Sequence, residues 1–145
     1  MRCSSRVAVA AALIIAAFPP RATAEAGTLR FGARLTGMFE PHGGDSDGVG
    51  SFLMELDSEN GRACYTLMTH RIGIASSAAI LDRRVGWATN PPLLPLDVTG
   101  PANDTCTRLA PDQVRAIMAE PRRFQVSVRN GQFPRGALRG QLEKR

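Results

Sequence analysis

The clearest signal in the chain is a period-two alternation of apolar and polar residues. In Thr28–Met38, Leu29, Phe31, Ala33 and Leu35 alternate with Arg30, Gly32, Arg34 and Thr36. Residues two apart share a face of a strand, so this segment predicts a half-buried strand. Phe124, Val126 and Val128, alternating with Gln125, Ser127 and Arg129, predict a second. Val49–Asp57 and Arg62–Thr69 are two apolar-rich runs separated by Ser58-Glu59-Asn60-Gly61. Asn60-Gly61 tolerates positive φ and predicts a hairpin there. Arg71–Leu81 reads as a further strand, followed by Asp82–Asn90. The short apolar piece Leu93–Val98, bracketed by prolines, suits a sheet edge.

Elsewhere the pattern changes. The Gly- and Asp-rich stretch after Met38 reads as a loop, and so does Gly100–Thr107, which carries Cys106. Pro111–Ala119 is the one helix prediction: Pro111 suits the first turn, Asp112 the positive end of the dipole, and Val114, Ile117 and Met118 form a stripe. Pro121 ends it. Asn130-Gly131 turns the chain into Phe133–Leu142, FPRGALRGQL, a turn followed by a final strand on which Leu138 and Leu142 share one face. Gly136 and Gly140 read as turn and close-packing positions, and Arg139 as the partner of a carboxylate or carbonyl. About seven short strands, one helix and many Gly and Pro turns predict an all-β, antiparallel Greek-key sandwich or barrel.

The N-terminus lies outside that scheme. Arg2 and Arg6 precede the uncharged apolar run Val7–Phe18, then come Pro19-Pro20 and Ala22-Thr23-Ala24. This is the layout of a secretory signal peptide spanning residues 1–24, too short in its apolar run to span a bilayer. Removal leaves a domain placed at residues 28–143. The full chain has 18 Lys+Arg against 13 Asp+Glu, net +5. Taking away Arg2, Arg6 and Arg21 leaves 15 against 13, or +2. So small a surplus gives no support for a nucleic-acid partner. Cys3 leaves too, and Cys64 and Cys106 remain. In an oxidising compartment two cysteines most simply pair, the alternative being two free thiols.

Cys64-Tyr65-x-Leu67 after a hairpin, the short helix ending at Pro121, the F-x-V-x-V strand and the closing FPRGALRGQL occur in that order. Together they resemble the CHRD (chordin-type) domain, from about Thr28 to Leu142. The resemblance implies an immunoglobulin- or Cu/Zn superoxide dismutase-like barrel in an exported, non-catalytic module. It also marks departures. The A-H-I-H motif of many members falls at Ala78-Ala79-Ile80-Leu81, and their V-H-T step at Val128-Arg129-Asn130, so those histidines are absent.

The remaining chemistry is sparse. His42 and His70 are the only histidines, too few to predict a zinc or copper site. Asp45-Ser46-Asp47-Gly48 begins like a calcium loop, but the twelfth position is Leu56 rather than Glu. Ser51, Ser76 and Ser77 lack a nucleophile-elbow context. Asn103-Asp104-Thr105 is a glycosylation sequon, relevant only in a eukaryotic secretory pathway. No cofactor or catalytic residue is predicted. The sharpest functional feature is the loop with Arg83, Arg84 and Trp87, residue types favoured at interfaces. Arg122-Arg123 reads as a solvated turn. The expectation is an exported binding or structural module in the periplasm or extracellular space. Its partner would be an unknown protein or envelope component, with no membrane span after cleavage. The alternatives are a metal-dependent dismutase-like activity and a secreted inhibitor.

Overall fold

A computed structural model describes residues 27–85, 92–100 and 104–145. The signal-peptide segment, Trp87 and Asn103 lie outside the described residues. Among those described, nine strands form a single antiparallel sheet: β1 (Thr28–Thr36), β2 (Val49–Asp57), β3 (Arg62–His70), β4 (Ala75–Asp82), β5 (Leu94–Leu96), β6 (Thr105–Arg108), β7 (Phe124–Asn130), β8 (Leu138–Gln141) and β9 (Glu143–Lys144). The order is β5-β4-β7-β8-β1-β2-β3-β6, with β9 beside β1. The all-β, antiparallel expectation is met by one sheet that curls on itself. Asp97–Gly100 bridges its two ends: the Thr99 and Gly100 amides donate to the Leu67 carbonyl at 3.1 and 3.2 Å, and the Asp97 amide donates to the Tyr65 hydroxyl at 3.0 Å.

The alternation explains what fills the curl. Phe31, Ala33 and Leu35 of β1 point inward, and across the register Phe31 faces Met54 and Ala33 faces Phe52. Phe52 in turn faces Leu67, and its ring lies 5.7 Å from that of Tyr65. From the other side come Ile80, Val126, Val128, Leu138 and Leu142, all fully buried. Each such side chain contributes about 1.5–3 kcal/mol of transfer free energy. Helix α1 (Pro111–Ala119) has the predicted bounds and buries Val114 and Ile117 against this core. Its N-terminus is fixed by the Ala110 amide, which donates to Gln113 Oε1 at 2.9 Å.

Three local readings change. The Ser58–Gly61 turn forms, but only Gly61 takes positive φ, and Asp57 supplies acceptors for the Glu59 and Asn60 amides. Strand β4 begins at Ala75 rather than Arg71. Residues 71–74 connect β3 to β4, which lies beside β7, with Arg71 at φ +56 and Ile74 exposed. The expected loop Gly100–Thr107 contains β6, which pairs with β3 so that Cys106 faces Cys64. Thr105–Arg108 has no apolar alternation to announce a strand; pairing with β3 makes it one. Cys64 and Cys106 are disulfide-bonded across that pair.

Candidate functional site

The outer face of β4, β7 and β8 gathers a set of polar and charged side chains. Strand alternation puts Leu81 of β4, Gln125, Ser127 and Arg129 of β7, and Arg139 and Gln141 of β8 on this face. Ser127 and Arg139 are direct cross-strand neighbours. After β1 the chain makes a 3-10 turn, Gly37–Phe39, capped by the Thr36 hydroxyl, which accepts from the Met38 amide. Thr36 faces Arg139 across β1 and β8, so the turn swings Glu40 over Ser127 and Arg139.

Glu40 is fully covered there. Arg139 donates from Nε to Oε1 at 3.1 Å and from Nη2 to Oε2 at 2.9 Å, and Ser127 Oγ donates to Oε1 at 3.3 Å. The side chains of Arg139 and Glu40 are 9% and 1% exposed. Burial pushes the Glu40 carboxyl above its ordinary 4.5, in opposition to Arg139, Ser127 and the charge of Arg129. Gly136 makes room for this pair: it sits at φ +149, and a Cβ there would overlap the Glu40 carboxylate. Gly140 lets β8 approach the Arg34 carbonyl, where a side chain would collide. Both glycines thus hold the expected roles, and of the carboxylate or carbonyl expected for Arg139 the structure shows a carboxylate, Glu40.

Beside this pair lies a cleft of about 440 Å³. Phe39, Pro41, Leu81 and Val85 give it apolar walls; Arg83, Arg129, Arg139 and Asp82 give it charge. Phe39 is 61% exposed and Val85 46%, so the rim presents apolar surface to solvent. Asp82 is gripped by Arg123, whose Nε donates to both carboxylate oxygens at 3.0 and 2.9 Å. Arg123 and the Arg84 amide hold the Asp82 carboxyl below its ordinary 3.8. The Arg83 amide donates to the Arg123 carbonyl at 3.0 Å, which anchors the start of the loop.

The structure separates the loop residues singled out in the sequence. Arg83 lines the cleft, whereas Arg84 turns away to pair with Glu120. Trp87 lies outside the described residues. Arg129 and the exposed Phe39 join Arg83, and sequence reasoning missed both as site residues. The signal for Arg129 was the outward parity of the F-x-V-x-V strand. His42 and His70 are exposed, on a turn and at the end of β3. Among the described residues, no group of three or more His, Cys, Asp or Glu could hold a metal ion. Ala79, Leu81 and Arg129, the positions where the resemblance placed missing histidines, all lie on this outer face, and two of them line the cleft.

Two other concavities are less chemically equipped. One of about 670 Å³ lies beside α1 and the Ser58–Gly61 turn, largely apolar around Val114 and Met118. The other is an open groove in which the Arg84–Glu120 and Arg122–Glu143 pairs and Arg123, bound to Asp82, lie beside Arg83 and Lys144.

The model of the CHRD domain family matches residues 31–142. The chain belongs to the CHRD-domain family. The match extends from Phe31 in β1 to Leu142 after β8 and so contains every residue that lines the cleft. No curated protein and no solved structure matches the chain. Within this CHRD domain, no helix among the described residues is long and apolar enough to cross a membrane.

Proposed function

We propose that this chain is an exported, non-catalytic CHRD-domain module of the periplasm or extracellular space that binds a partner or envelope component through the outer-face cleft. The observation that carries the reading is the convergence of Arg83, Arg129 and Arg139 with exposed Phe39 and Val85 around one concavity. Arginine beside exposed aromatic surface is the composition of recognition sites. The disulfide supports an oxidising compartment, and the apolar run Val7–Phe18 supports export.

The test is capture from envelope extract by the mature protein and by Arg83→Gln and Phe39→Ser variants, with Arg84→Gln as the control outside the cleft. Capture lost in the first two and kept in the control supports the reading. Equal capture by all three would sink it. A full equivalent of zinc or copper in the purified protein would favour the metal-dependent alternative instead.

A further inference from the structure

We propose that the cleft is a site for an organic carboxylate bearing an aromatic or branched apolar group. The inference rests on the cleft being the binding surface and names what it takes. Three observations converge on this class. First, the charge balance is positive: Arg83, Arg129 and Arg139, with Arg123 behind Asp82, face two carboxylates, Glu40 and Asp82. An anion entering the cleft therefore meets attraction in a recess partly screened from water. Second, the same face already holds a carboxylate. Glu40 sits in the fork of Arg139 with a hydroxyl from Ser127 and within the field of Arg129. Planar guanidinium groups read a second carboxylate by the same geometry. Third, the walls are apolar where the ligand's body would lie. Phe39, Pro41, Leu81 and Val85 surround the charged end, and Gln125 and Gln141 supply neutral polar contacts. About 440 Å³ is the scale of a small-molecule site.

An inorganic anion leaves the apolar walls unused, and a neutral apolar compound leaves the positive balance of the cleft unanswered. A compound with both parts engages both. Two sources share this chemistry: a free organic acid, and the C-terminal carboxylate of a peptide ending in an apolar residue.

The experiment is titration of the mature protein with sodium 4-phenylbutyrate, followed by amide chemical shifts and calorimetry. Parallel arms use 4-phenylbutyramide, acetate, inorganic phosphate, and a short peptide ending in phenylalanine as free acid or as amide. The expected result is saturable binding of the phenylbutyrate or the free-acid peptide, with shifts at Phe39, Leu81 and Arg129. The matching amide binds at least about tenfold more weakly, as do acetate and phosphate, a difference of about 1.4 kcal/mol. Whichever acid binds more tightly identifies the source. Arg83→Gln and Phe39→Ser, both at exposed positions, each weaken it by about tenfold or more with an unchanged melting temperature. Arg129→Gln is a further arm.

Equal binding of acid and amide overturns the proposal, and so does equal binding of acetate or phosphate. Absence of saturable shifts at millimolar concentration also overturns it. If the acids fail while capture from envelope extract still depends on Arg83 and Phe39, the ligand class falls and the binding-module reading stands.

Discussion

Arg139 holds Glu40 in a two-pronged ion pair that joins positions 99 residues apart in sequence. The pair ties the turn after β1 to the signature strand β8. Both side chains are buried, so their removal from water opposes their mutual attraction. That opposition already shows in the raised Glu40 pKa. Truncating one partner strands the other. Glu40→Ala or Arg139→Ala is expected to cost about 3–5 kcal/mol in urea denaturation. Replacing both, as Glu40→Leu with Arg139→Met, is expected to recover most of the loss. A double variant as unstable as the sum of the singles would show no coupling between the two groups and contradict this account.

Gly136 should be intolerant of any side chain. Its φ of +149 disfavours an L-residue, and a Cβ would overlap the Glu40 carboxylate. Gly136→Ala is therefore expected to destabilise by more than about 1 kcal/mol. Gly131, in open space without a positive φ, provides the contrast: Gly131→Ala should lie within about 1 kcal/mol of the parent. Comparing the two midpoints in one denaturation series checks the claim.

Two carboxylates should give pH dependence of opposite sign. Asp82 has a folded pKa below 3.8, so the unfolded chain binds more protons in that window. Its contribution is present above pH 3.8 and is lost as pH falls through the folded value. Asp82→Asn should thus lose the most, relative to the parent, at neutral pH and converge with it in strong acid. Glu40 has a folded pKa above 4.5, so here the folded chain binds more protons. Its effect costs stability as pH rises past 4.5. Relative to the parent, Glu40→Gln should gain as pH goes from 4 to 7. Melting curves from strong acid to neutral pH decide both, and parallel profiles for the two variants would contradict the assignment.

The Cys64–Cys106 bridge closes a long loop containing β4 and β5. The chain-entropy relation gives about 4 kcal/mol for a loop of that length. Cys64→Ser with Cys106→Ser, or reduction of the parent, should lower stability by about that amount. The denaturation midpoint with and without reductant measures it.

Much of this architecture can be read from residue order because it is local. Pro111 and Pro121 bracket the helix, period-two alternation marks β1 and β7, and Asn60-Gly61 marks the hairpin. Strand β6 cannot be read that way: Thr105–Arg108 has no apolar face, and its strand character comes from pairing with β3. The cleft is harder still. Phe39, Arg83, Arg129 and Arg139 come from four separate parts of the chain, and only the sheet order brings them together. Arg83 stood out by residue type. Glu40, in a Gly-rich loop, gave no hint that it would be the most deeply covered acid of the site.

The way the sheet ends also limits how anything can attach to it. One margin, β5, is three residues long and contains Pro95, whose nitrogen carries no hydrogen to donate. The other, β6, is four residues long and stapled to its neighbour by the disulfide. Among the described residues, neither margin offers a long strand of open amides and carbonyls on which a foreign strand could be templated. Recognition of this domain through its side chains is favoured over strand addition at these margins. The same short margins protect the domain from edge-to-edge polymerisation.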